Sequence, residues 1–211
     1  METTYLVVGG GSSGCALAAR LTEDPSVRVT LLEAGPDFRP ADTPADILDT
    51  YAGRALGNPG YFWDLNVLRG SAVPHLLPAH QQPMRYEQAR VIGGGSSING
   101  QVALRGIPAD FDRWHSLGAT GWDWNGVLPY FRKLETDLDF QNDLHGSQGP
   151  IPVRRFFRPV WDRFTAEVAG EWERQGLPYL EDLNGQWHDG FAPIPVSNNA
   201  EHRVSTPMGY L

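Results

Sequence analysis

Apolar residues run without a break from Tyr5 to Val8 and stop at three glycines. A continuous apolar run of that length suits a strand buried on both faces of a parallel sheet. Residues 12–23 follow, with Cys15, Ala16, Leu17, Ala18, Ala19 and Leu21, mostly good helix formers. Asp24-Pro25 ends that segment. Residues 27–33 alternate at first and merge into Val29, Leu31 and Leu32, a second buried strand. Strand, helix and strand within about 30 residues predict a parallel pair joined by a right-handed crossover.

The pattern then changes. Residues 34–90 carry prolines at 36, 40, 44, 59, 74, 78 and 83, so they read as loops with one short helix over 45–52. A long irregular stretch in a compact protein is usually functional or wrapped around a ligand. Residues 109–117 form a helix with Phe111 and Trp114 on one side and Gly118 closing it. Asn125 is a good N-cap for a helix over 126–134, which puts Pro129 in or just past its first turn. Residues 137–158 read as loop and short strand. Residues 159–175 show the clearest amphipathic helix, with Trp161, Phe164, Val168 and Trp172 on one face, Pro159 at its start and Gly176 at its end. That stripe reads as core, or as the edge of a substrate cavity.

Composition narrows the function. The 211 residues are 41% hydrophobic and 20% charged, so wholesale disorder is excluded. No apolar run approaches the roughly 20 residues that cross a bilayer. The formal charge of −8 argues against a nucleic-acid binder, which needs a basic face. The single cysteine, Cys15, forms no internal disulfide and reads as a small packed hydrophobe. The start lacks basic residues and a long apolar region, which points to the cytoplasm.

Two glycine clusters carry the candidate chemistry. Gly9-Gly10-Gly11-Ser12-Ser13-Gly14 fits G-x-G-x-x-G between a strand and a helix. Gly9 allows the tight turn, Gly11 lets the backbone approach a pyrophosphate at the helix N-terminus, and Gly14 lets helix and strand pack closely. Glu33 ends the second strand, where a carboxylate accepts from ribose hydroxyls and repels a 2′-phosphate. The second cluster is Gly93-Gly94-Gly95-Ser96-Ser97. A simple NAD domain does not need it, whereas a flavin, with its ring far from the adenine, does.

These residues resemble the glucose–methanol–choline (GMC) flavoprotein oxidoreductases. The resemblance runs from Tyr5 to Gly14, through Leu32-Glu33-Ala34-Gly35, then over residues 89–99 with Ala103, Gly106 and Asp112. It continues in Arg105-Gly106-Ile107-Pro108-Ala109-Asp110-Phe111-Asp112, Gly121-Trp122-Asp123-Trp124, Leu128-Pro129-Tyr130-Phe131, His145-Gly146 and Gly149-Pro150. Tyr86-Glu87-Gln88 and residues 121–126 are most similar to the bacterial hydroxymethylfurfural oxidases within that family.

The resemblance implies an α/β chain: a Rossmann-type FAD-binding domain over 1–150, and over 151–211 the start of an antiparallel-sheet substrate domain. It implies oxidation of a primary alcohol, aromatic or furanic, to a carbonyl by hydride transfer to flavin N5, with oxygen or another acceptor taking the electrons. Gly9, Gly11, Ser12, Ser13 and Gly14 are expected around the pyrophosphate, and Glu33 and Ala34 at the adenosine end. Arg90 and Val91 flank the adenine or ribitol. Gly95, Ser96, Asn99, Gly100, Gln101 and Val102 are expected along the ribitol and ring edge, and Trp63 is a candidate to approach the flavin. Ile98 stands where some members carry a histidine that attaches the flavin, so the FAD is expected to be non-covalent. Members are usually more than twice as long, with a catalytic His and its partner near the C-terminus, so the chain reads as incomplete and without a catalytic residue.

The six histidines, His75, His80, His115, His145, His188 and His202, therefore read as surface or structural. No metal site is expected, because His75 and His80 are five apart, which is no recognised ligand spacing. Asp110, Asp112 and Asp123 read as caps or loop partners. The competing functions are an NAD-dependent dehydrogenase and a non-catalytic flavin-binding module.

Overall fold

The computed structural model describes residues 3–68 and 83–211, so His75 and His80 lie outside the described residues. The chain divides into two compact units, Met1–Asn99 with Thr206–Leu211, and Gly100–Ser205. The division at residue 150 concerned function, and the packing units break elsewhere.

In the first unit, β1 (Thr3–Val8) pairs in parallel with β2 (Val27–Leu32), in register from Thr3 opposite Val27 to Val8 opposite Leu32. The helix α1 (Ser12–Leu21) joins them and packs on both strands, as the pattern predicted. The expected burial of both strand faces does not appear: Val8 is 79% and Leu6 63% exposed. Among the described residues only two strands pair in this sheet, so side chains of both lie beside open edges.

Residues 34–68 and 83–90 belong to the same unit. The helix expected over 45–52 is two shorter ones, α2 (Ala45–Leu48) and α3 (Gly53–Leu56). Asp49 leaves the helical region at ψ 133°, which separates them. A short antiparallel pair joins β3 (Asn66–Val67) to β4 (Met84–Arg85). Ile47, Ala55, Tyr61 and Phe62 pack with Cys15, Val91, Ile92 and Ile98 into one buried core. The helix α4 (Gly95–Ile98) follows the second glycine cluster, and α8 (Thr206–Tyr210) packs on α1, with the Arg20 guanidinium over the Tyr210 ring.

The second unit holds α5 (Pro108–Ser116) and α6 (Trp124–Leu134), packed through Phe111, whose ring lies 5.4 to 5.9 Å from those of Trp114, Phe131 and Trp124. Asp123, not Asn125, caps α6, its Oδ1 accepting from the Gly126 N–H at 3.0 Å. Pro129 consequently sits inside the helix, beyond its first turn. β5 (Glu135–Asp137) and β6 (Ile151–Val153) pair in parallel. Among the described residues, antiparallel pairing in this unit is limited to isolated bridges such as Val102 with Val196. The helix α7 spans Arg163–Arg174, shorter than expected, because Asp162 caps it and residues 158–160 form a separate turn. Gly176 ends it at φ 88°. Its apolar stripe is not core: Phe164 is 77% exposed, and the fully buried position on the helix is Ala169. No helix among the described residues is long and apolar enough to cross a membrane.

Candidate functional site: a glycine-lined cleft

The first unit contains a cleft of about 960 Å³ at the C-terminal ends of β1 and β2. That is within the range of ligand clefts, roughly 300–1,000 Å³. The turn after β1 is anchored by the Gly9 N–H donating to the Leu32 carbonyl at 2.7 Å. Gly9 takes φ 101°, which favours glycine. Gly14 lies so close to this turn that a Cβ on it would stand 2.0 Å from the Gly9 oxygen.

Gly11 is glycine for a different reason. Its φ of −74° suits any residue, and a Cβ there would meet no atom of the described residues within 4 Å. Nothing among the described residues requires a missing side chain at this position, whereas a ligand lying on the backbone does. Gly11 is also the N-cap of α1, without a side-chain cap, and no acid stands in the first turn. Free N–H groups and the positive end of the helix dipole together suit a phosphate.

The two glycine clusters, some 80 residues apart, dock on each other. The Gly93 N–H donates to the Gly10 carbonyl at 2.6 Å, and the Ser12 hydroxyl donates to the Gly93 carbonyl at 3.4 Å. A Cβ on Gly94 would lie 2.9 Å from the Gly11 Cα. Gly93 and Gly94 take φ of 83° and 52°. Glu33 ties this assembly to β2. One carboxylate oxygen accepts from the Gly10 N–H and the other from the Gly35 N–H, both at 2.8 Å. Its second lone pairs remain as acceptors.

Of the residues singled out from sequence, Gly9, Gly11, Ser12, Ser13, Gly14, Glu33, Ala34, Trp63, Val91 and Gly95 line the cleft. Arg90 does not line it. Its guanidinium stacks over Trp63 at 5.6 Å from the ring centroid, and its N–H donates to Tyr61. Ser96 sits behind the loop, its hydroxyl donating to the Gly93 carbonyl and accepting from the Thr206 N–H. Asn99 ends α4, while Gly100, Gln101 and Val102 begin the second unit. There the Gln101 backbone is left-handed at φ 63°, and its side-chain oxygen accepts from Asn198 at 2.9 Å. Gln88 and Ala89 line the cleft without having been assigned. They arrive by pairing with Phe62 and Trp63, which are distant in sequence, and such a contact has no periodic signature.

Cys15 lies under the glycine turn, its thiol on the Gly10 carbonyl, and burial pushes its pKa up. It behaves as a packed hydrophobe. Asp123 caps α6, and Asp112 accepts from the Trp124 N–H.

A parallel strand–helix–strand unit whose helix N-terminus opens on a bare glycine cleft defines a Rossmann-type dinucleotide-binding domain. The chain belongs to the GMC oxidoreductase family, whose sequence profile matches residues 3–211. GMC oxidoreductases are FAD-binding flavoproteins, and this is their FAD-binding N-terminal region. The chain is 42% identical to a 5-(hydroxymethyl)furfural oxidase of Methylovorus sp. (strain MP688) over 98% of its length and 39% of that protein's. It superposes on a pyridoxine 4-oxidase from Mesorbium loti with a TM-score of 0.82 at 30% identity, over 99% of this chain and 39% of the other. An FAD-dependent oxidoreductase from Chaetomium thermophilum gives the same TM-score and identity over 100% and 36%. The chain thus spans less than half the length of these relatives.

Proposed function

We propose that this chain holds the FAD of an enzyme that oxidises a small primary alcohol to its carbonyl. The observation that carries the cofactor reading is the bare backbone at Gly11, open to any side chain yet occupied by none, at an uncapped helix N-terminus. The alcohol reading is supported by the 42% identical relative, an oxidase whose named substrate carries a hydroxymethyl group.

In this proposal the N–H groups at the start of α1, from Ser12 to Gly14, hold the pyrophosphate, and Gly9 sets the turn that presents them. Glu33 and Ala34 hold the adenosine end. Arg90 and Val91 flank the adenine or ribitol, Trp63 approaches the flavin, and Gly95 serves the ribitol. When bound, FAD supplies the hydride acceptor, its N5. The chain's part is to position the cofactor and to offer backbone donors near developing negative charge. The base that takes the hydroxyl proton is assigned to none of its histidines. His145 is enclosed by carboxylates, His115 accepts from the Gly121 N–H, and His202 pairs with Asn199.

The visible spectrum of the purified protein tests this. Flavin bands are expected, and acid or heat should release the FAD, because Ile98 offers no attachment point. Bleaching of those bands when 5-(hydroxymethyl)furfural is added to the intact enzyme without oxygen would support the alcohol assignment. A colourless protein that binds NAD in place of FAD would overturn the cofactor reading. Flavin that stays with the polypeptide through a denaturing gel would overturn non-covalent binding.

A further inference from the structure

The second unit contains a cluster of ionisable side chains that the cofactor cleft does not use. Glu135 and Asp137 lie on β5, His145 on the loop that follows, Arg155 just past β6, Asp182 after Leu180, and Arg105 ahead of α5; all six are buried. His145 Nδ1 faces two carboxylate oxygens, Glu135 Oε1 at 3.0 Å and Asp137 Oδ2 at 2.9 Å. Its Nε2 faces a third, Asp182 Oδ2 at 2.8 Å. An ionised carboxylate only accepts, so both ring nitrogens must donate, which only the imidazolium can do.

The surrounding charges agree. The Arg105 guanidinium donates to Glu135, and Arg155 donates to both oxygens of Asp137 and to Asp182 Oδ1, at 2.9 to 3.0 Å. Arg105, Arg155 and protonated His145 then balance Glu135, Asp137 and Asp182. Asp139 stands at the partly open rim, 3.5 Å from Arg155. Phe140 stacks on the imidazole at 5.6 Å and closes the cluster from that side. A neutral ring would leave a lone pair against a carboxylate and one anion unbalanced, both unfavourable in a buried site. A divalent ion in the proton's place would add positive charge beside two guanidiniums.

We infer that His145 is a fixed imidazolium, the third cation of a charge-balanced clasp that ties residues 138–146 to β5, to Arg155 and to the turn at Asp182. Gly146 belongs to the same device: its N–H donates to Glu135 Oε1, and a Cβ on it would stand 2.0 Å from the Arg132 oxygen. Asn184 extends the clasp by accepting from the Arg105 N–H at 2.9 Å.

Burial alone would lower the His145 pKa, but Asp137, Asp182 and Glu135 outweigh it and hold it at about 10, against 6.5 for an ordinary histidine. Folding therefore takes up a proton between those values. The clasp contributes fully below pH 6.5 and is lost as pH rises through about 10, by up to roughly tenfold in the folding constant per pH unit. Burial raises Asp137 and Asp182, but His145 and their other donors outweigh it and hold both below the usual carboxylate range. Their contribution is present above the ordinary carboxylate pKa and fades as pH falls through the folded values.

Nitrogen-15 NMR of the imidazole, together with urea unfolding, from about pH 6 to about pH 10 in the purified protein tests the clasp. Two ring N–H signals at pH 8 and a folding constant that falls with rising pH are expected. Asp182→Asn should lower the imidazole titration point by roughly one pKa unit or more. His145→Gln should flatten the alkaline slope, and the spectra of the unsubstituted protein decide the matter if that variant does not fold. One ring N–H at pH 8, titration near 6.5, or an alkaline slope unchanged in His145→Gln would overturn the inference. A zinc-dependent shift of the ring signals would overturn it in favour of a metal site.

Discussion

Placing a methyl group at Gly11 and another at Gly14 separates what the ligand requires from what the fold requires. At Gly11 the backbone is already in a region open to alanine, and the added Cβ meets no atom of the described residues within 4 Å. Alanine is a poorer N-cap than glycine, but it also restricts the unfolded chain. The two effects oppose each other, and the net change should stay within about 1 kcal/mol. The same methyl fills the space where a pyrophosphate has to touch the helix N-terminus. Losing one charge-assisted hydrogen bond is worth about 1.5–3 kcal/mol, roughly a ten- to hundred-fold weaker Kd for FAD. At Gly14 the Cβ would lie 2.0 Å from the Gly9 carbonyl oxygen, so α1 must move away from the turn. Overpacking of that kind costs about 1–3 kcal/mol, roughly 2–12 °C in Tm for a chain of this size. Flavin fluorescence titration reads the first effect, and thermal unfolding followed by circular dichroism reads the second. Undiminished FAD affinity in Gly11→Ala would refute the cradle, and an unchanged Tm in Gly14→Ala would refute the close packing of helix and turn.

Glu33→Gln replaces one acceptor oxygen with an NH2 that faces a backbone N–H. It should speed amide exchange at Gly10 or Gly35 in the cofactor-free protein and weaken FAD binding roughly tenfold; unchanged exchange at both amides would show that the carboxylate does not hold the loop. Asp123→Ala should destabilise the protein by about 1 kcal/mol in urea unfolding, through the lost cap of α6, while Asn125→Ala stays within about 0.5 kcal/mol. The reverse order would restore Asn125 as the cap.

The strand–helix–strand unit was visible in residues 5–33 because its causes are local. Apolar runs, helix-forming residues and glycine freedom act over a few positions, so the parallel pairing of β1 with β2 and the placing of Gly9, Gly11 and Gly14 at one turn followed from pattern. Local signals also failed where two neighbours competed. Asp123 and Asn125 are both good caps, and choosing Asn125 moved the start of α6. The amphipathic pattern of α7 marked a face but not its partner, and Phe164 stands in solvent. The docking of Gly93 on Gly10, the arrival of Gln88 at the cleft and the enclosure of His145 by three carboxylates join residues 8 to 83 positions apart. No periodicity records such contacts, because they arise when the chain closes on itself and buried donors and charges must find partners.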